Sequence, residues 1–188
     1  MPTAGKLYLG SIEIGGGGIE WATITAMTGS PTRFAYTDVD GVAWYAFRWT
    51  ASGSITVEAG YVDALMVGGG GGNSGGWGGM AGGGGGVTRG LVLLGAGSNS
   101  ISVGGAGGYS AGGNSTAGGD TGLGLLRAPC GHGTGQVEGS MWGRAGSGSG
   151  STNDITGTST TYGNNGAAAG RAVVRVPQDF VTAVSGWV

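Results

Sequence analysis

More than a quarter of this 188-residue chain is glycine, 50 residues in all, yet only 10% of it is charged and it carries six Trp and six Tyr. Disordered chains are charged and poor in apolar residues, so this composition excludes a coil, and four prolines without a Gly-X-Y period exclude collagen. A net charge of −2, with eight Lys and Arg scattered along the chain, excludes a concentrated phosphate-binding face and hence a nucleic-acid partner, and a single cysteine excludes an internal disulfide.

The N-terminal stretch has no basic segment followed by an apolar core, and no run of about 18 apolar residues occurs, so neither a secretory signal nor a membrane span is expected. The glycines pose the main physical question. Each costs about 0.5–1 kcal/mol relative to alanine in regular structure, and some other interaction must offset the total.

Residues 1–20 hold a short strand-like segment, Lys6 to Ile14, followed by four glycines, and read as an attachment element. Residues 21–60 read as β: WATITA, then RFAYTDVDGVAWYAFRW, then GSITVEA, punctuated by Thr-Gly-Ser-Pro, Asp-Gly and Ser-Gly turns. Asp38 and Asp40 flank one of these turns and are expected to stabilise it. Trp44, Phe47 and Trp49 lie in an alternating strand, so at least half of them belong in a core.

At Tyr61 the chain changes character. YVDALMV runs straight into five glycines at 68–72, and a glycine-rich domain is expected over 61–176, leaving 177–188 as a tail. Three further strand candidates lie within it, VTRGLVLL at 87–94, SISV at 100–103 and RAVVRV at 171–176, apolar enough to form one sheet. Between them stand glycine tracts at 68–72, 82–86, 104–108, 112–113 and 118–119, with a sparser run at 163–170.

Polyglycine adopts a left-handed extended helix of three residues per turn with no internal hydrogen bonds. Several such rods side by side can pair their outward N–H and C=O groups, which satisfies the backbone without a side-chain core. The expected fold is therefore all-β, a small antiparallel sheet or sandwich plus a packed lattice of polyglycine II rods, with essentially no α-helix.

Strands at one end of such rods force the connecting segments to the other. The richest non-glycine stretches are 73–81, 109–117 and 120–162, and their candidate recognition residues are Asn73, Trp77, Met80, Tyr109, His132, Trp142, Arg144, Asn153, Asp154 and Tyr162. Tyr, Trp, Ser, Asn and Gly are also the vocabulary of antibody loops. For the aromatics among them, wedging between rods is the competing expectation.

Catalytic readings fare poorly. The glycine tracts after YVDALMV and SISV match a dinucleotide fingerprint only superficially, because no helical periodicity follows to aim N–H groups at phosphate. Cys130 and His132 sit two apart with no third orienting group, and one His and one Cys fall short of any zinc or calcium spacing. No catalytic, metal or cofactor site is expected.

The order of YAFRWTASGSITVEAGYVDALMVGGGGG, GGGGGVTRGLVLLGAGSNSISVGGAGG and GAAAGRAVVRVP resembles the glycine-rich domain of phage and prophage tail proteins, over about residues 41–177. The matching positions are Phe47, Ser52 and Gly53, Val62 to Gly72, Ile101 to Gly108, and Val173 to Arg175. The chain is also similar to tail-fibre adhesins of T-even-like phages, which hold polyglycine helices in a sandwich and display loops at the tip. It differs in having long strands before the glycine region and fewer clean glycine blocks after Gly119.

The resemblance implies a non-enzymatic virion component at the distal end of a tail. Its partners would be other tail proteins and a host-surface glycan or outer-surface protein, with a homotrimer as one possible assembly. A purely structural cap or decoration protein is the alternative, and an ice-binding protein a more remote one, disfavoured by irregular spacing over 120–162.

Overall fold

The computed structural model describes residues 8–9, 12–13, 19–75, 82–112, 114–133, 151–162 and 168–182. Within them the chain is all-β apart from one 3-10 turn, Gln178–Phe180. The strands are β1 (Tyr8–Leu9), β2 (Ile12–Glu13), β3 (Ile24–Thr28), β4 (Thr32–Thr37), β5 (Ala43–Trp49), β6 (Gly53–Val57) and β7 (Gly60–Val67). They continue as β8 (Val87–Leu94), β9 (Gly97–Ser102), β10 (Thr121–Leu123), β11 (Leu126–Ala128), β12 (Ser151–Asn153), β13 (Thr160–Tyr162) and β14 (Arg171–Pro177). The segment expected as one strand over Lys6 to Ile14 instead holds the two short strands β1 and β2, paired antiparallel with Leu9 opposite Ile12.

Two five-stranded antiparallel sheets carry the fold, ordered β4-β5-β14-β7-β8 and β11-β10-β9-β6-β3. The expectation that 87–94, 100–103 and 171–176 share one sheet is corrected here. β8 and β14 lie in the first sheet, whereas β9 pairs with β6 and β10 in the second. Residues 21–60 and the described part of 61–176 each contribute strands to both sheets. The segment after Pro177 is tied back as well, Val181 bridging Ile24 and the Thr182 N–H donating to the Ile24 carbonyl at 3.1 Å.

Strand parity explains the core. Tyr45, Phe47 and Trp49 pair with Val176, Val174 and Ala172, and with Val62, Ala64 and Met66 they form the face turned to the second sheet, meeting Ile24, Ile55, Val57, Ile101 and Leu123. The opposite face of the first sheet is also covered. Ala46, Leu65, Val67 and Val173 pack there against Ile155 and Tyr162 from the β12–β13 hairpin. A sheet buried on both sides needs near-continuous apolar strands, which is how YVDALMV and RAVVRV read. Trp44, Phe47 and Trp49 are consequently all buried.

Six glycine-rich runs leave or re-enter the same end of this sandwich. Runs 68–72, 104–108 and 129–133 follow β7, β9 and β11, while 82–86, 115–119 and 168–170 lead into β8, β10 and β14. Run 68–72 is buried throughout and bonds to all five others. The N–H groups of Gly68 and Gly71 donate to Gly86 and Gly83, those of Gly69 and Gly72 donate to Gly119 and Thr116, and that of Gly70 donates to Ala168, all at 2.8–2.9 Å. On the acceptor side, the carbonyl of Gly69 takes the Gly131 N–H and that of Gly70 takes the Gly107 N–H.

The outer runs bond to one another too, Gly118 to Gly131, Gly119 to Gly105, Gly83 to His132 and Gly170 to Gly104. Backbone approach is close enough to exclude side chains. A Cβ on Gly71 would strike the His132 carbonyl, one on Gly69 that of Gly105, and one on Gly85 that of Gly68.

Candidate functional site

The described candidate residues fall into two places rather than one. At the outer ends of the glycine runs, Ser74 bridges Ser110 in parallel, the Gly75 N–H donates to the Ser110 carbonyl at 3.0 Å, and the Ser110 N–H donates to the Asn73 carbonyl at 3.1 Å. Asn73 Oδ1 accepts the Gly82 N–H at 3.0 Å, which ties the returning run to the same corner. Tyr109 is 69% exposed, and its phenol end lies against Gly75, where any Cβ would collide with the hydroxyl.

Thr116 closes this end. Its Oγ1 accepts the Gly108 N–H at 2.6 Å and its carbonyl accepts the Gly72 N–H at 2.9 Å. His132 stands in run 129–133, half-buried, with its carbonyl accepting the Gly83 N–H at 2.9 Å. Residues 68–86 and 104–119 include no Asp, Glu, Lys or Arg.

Asn153, Asp154 and Tyr162 lie elsewhere, on the outer face of the first sheet. Tyr162 is only 4% exposed, among Ala46, Leu65, Val67, Ile155 and Val173, so its ring packs the hairpin onto the sheet. This placement departs from the expectation of a displayed residue. Apart from Ile155 of the same hairpin, the buried apolar residues of this cluster come from the distant strands β5, β7 and β14.

Asn153 Oδ1 accepts the Ile155 N–H at 2.9 Å and an Arg89 guanidinium N–H at 3.1 Å, while Asp154 pairs with the same guanidinium at 3.3 Å. Arg89 also forks onto Asp63, Nε to Oδ1 at 3.1 Å and Nη2 to Oδ2 at 2.7 Å. Arg175 reaches Asp63 Oδ2 from the other side at 2.7 Å, donates to the Tyr36 hydroxyl at 2.6 Å and lies 4.4 Å over the Trp44 ring. Tyr36 in turn donates to the Ile155 carbonyl at 2.9 Å.

Two arginines thus satisfy one buried carboxylate, which is what burial of a charge requires. Burial pushes the Tyr36 hydroxyl above its ordinary range, only partly opposed by its bond from Arg175. Burial also opposes the charge on Arg89, but Asp63 and Asp154 outweigh it and hold the guanidinium above its ordinary value. Residues separated by up to 139 positions come together in this network, and no local sequence signal announces it.

Asp38 stabilises its turn as expected, accepting the Asp40 N–H at 3.0 Å, the Val42 N–H at 2.9 Å and the Trp44 indole N–H at 2.8 Å. Partial burial raises its carboxyl, but these bonds outweigh it and hold the group below its ordinary value. At Cys130, burial and the neighbouring Asp120 both push the thiol up, the reverse of what a nucleophile needs. Among the described residues no cluster of three His, Cys, Asp or Glu side chains could hold a metal ion. Trp77, Met80, Trp142 and Arg144 lie outside the described residues.

No protein-family model matches the chain, and no curated protein matches it either.

Proposed function

We propose that the chain is a non-enzymatic component of the distal end of a bacteriophage tail or tail fibre, built on polyglycine II rods and presenting their connecting segments to a host-surface receptor. The observation that carries this reading is the bonding rhythm of Gly68 to Gly72. N–H groups three residues apart donate to the same neighbouring run, and successive ones turn to three different runs. A helix of three residues per turn distributes its N–H groups in that way.

Rods of this kind advance about 3.1 Å per residue, so five or six residues carry a connection about 15–20 Å beyond the sandwich. Among the described residues, display narrows to the corner formed by 73–75 and 109–112, because Asn153, Asp154 and Tyr162 are engaged with the sheet. The opposite end of the sandwich suits attachment to other tail proteins. Val39 and Leu125 are fully exposed and Leu93 largely so, on turns and strand ends remote from the glycine runs.

The test is direct. Antibody against the purified chain should label the tail extremity of intact particles, and the chain itself should bind host cells and block adsorption. Labelling without cell binding would leave only the structural-cap reading, and labelling of neither tail nor cell would remove both.

A further inference from the structure

We infer that the corner around Tyr109 recognises a neutral carbohydrate, by stacking a sugar ring on the phenol and bonding its hydroxyls through Asn73 and Ser110. The inference rests on the tip-display reading and names the ligand class for it. Its first support is charge. Runs 68–86, 104–119, 129–133 and 168–170 contain no Asp, Glu, Lys or Arg, so the described surroundings of Tyr109 offer an anionic or cationic ligand no counter-charge. Glu138 and Arg144 lie outside the described residues.

The second support is the shape of the exposed groups. Among the described residues of 68–86, 104–119 and 129–133, Tyr109 is the one large hydrophobic side chain with most of its surface in water. Its phenol end is braced on Gly75, and its backbone neighbour Ser110 is fixed by bonds to Asn73 and Gly75, so the ring is carried on a tied corner. A held aromatic needs little ordering on binding, and its face suits the C–H side of a pyranose.

Around it stand short neutral hydrogen-bonding groups. Asn73 uses its Oδ1 on Gly82, which leaves its side-chain NH2 as a donor, and Ser110 is held beside it by backbone bonds. Amide and hydroxyl groups match sugar hydroxyls, which both donate and accept. A protein receptor would be expected to meet a wider apolar centre than one ring set among glycine, serine and asparagine.

The experiment uses the full chain, with Tyr109→Ala and Tyr109→Phe, on a panel of whole bacteria left untreated, oxidised with periodate, or digested with protease. The expected result is binding that survives protease and high salt, is lost on periodate, falls by about tenfold or more in Y109A, the scale of a lost stacking contact, and persists in Y109F. Binding lost to protease but not to periodate, lost at high salt, or equal in Y109A overturns the carbohydrate inference while leaving the tip-display reading in place. Binding to no cell in the panel overturns both.

Discussion

Gly71 and Gly105 are the same residue type in two runs of one bundle, yet they make opposite demands on their surroundings. A Cβ at Gly71 meets the His132 carbonyl and the backbone of Gly133, whereas a Cβ at Gly105 meets nothing within 4 Å. Gly71→Ala should therefore destabilise the protein by about 1–3 kcal/mol, as overpacking does, while Gly105→Ala should be neutral or slightly stabilising because it restricts the unfolded chain. Denaturant midpoints of the two variants decide the matter, and equal midpoints would mean that the runs do not lie against one another.

Charged residues divide in the same way. Asp63 is buried between Arg89 and Arg175, so Asp63→Ala leaves two guanidinium groups without their shared partner and should cost about 3–5 kcal/mol. Asp154 touches the same Arg89 but its side chain is 75% exposed, so Asp154→Ala should cost less than about 1 kcal/mol.

Asp38 supplies a pH signature. Its folded carboxyl lies below the ordinary value near 3.8, so its contribution is complete above that value and is lost as pH falls through the folded one. Asp38→Asn should accordingly narrow the stability difference between neutral and strongly acidic solution. An unchanged acid profile would contradict the bonds drawn to that carboxylate.

At the level of elements, legibility followed length and local apolar density. The apolar runs YVDALMV and RAVVRV read directly as β7 and β14, because a strand buried on both faces is apolar along its length, and VTRGLVLL reads as β8 from its β-branched and apolar residues although it lies at the sheet edge. That SISV, within β9, joins the other sheet was not legible, since strand order depends on pairings across gaps that composition does not encode. β10 to β13 are three residues each, too short to show a period, although Leu123 and Leu126 around Gly124 hint at the β10–β11 turn.

Tyr162 is the instructive case. Among threonine, glycine and asparagine neighbours it reads as a display residue, but its contacts with Leu65, Val67 and Val173 are set by tertiary structure alone. Tyr162→Ala should cost about 3 kcal/mol or more through the cavity it leaves under the hairpin. It should also raise the protease sensitivity of 151–162. A mild change in both would mean that the hairpin stands off the sheet.

For the molecule as a whole, two kinds of interior are joined end to end. The sandwich is held by side chains, with Trp49, Phe47 and Leu65 fully buried, and the glycine bundle is held largely by backbone hydrogen bonds between runs that leave no room for a Cβ at Gly69, Gly71 or Gly85. Bundle bonding offsets the entropic cost that the glycine content imposes, and it places Asn73 to Gly75 beside Tyr109 and Ser110. The recognition proposed for that corner requires the bundle to be rigid, so the proposal depends on the glycine runs being ordered.

Amide hydrogen exchange over residues 68–72, resolved to single amides, tests that dependence most directly. Exchange of Gly69 to Gly72 as slow as that of β7 and β14 is the predicted result, because these N–H groups are buried and bonded to three separate segments of chain. Exchange at the rate of an unstructured glycine peptide, with β7 and β14 still protected, would contradict the account.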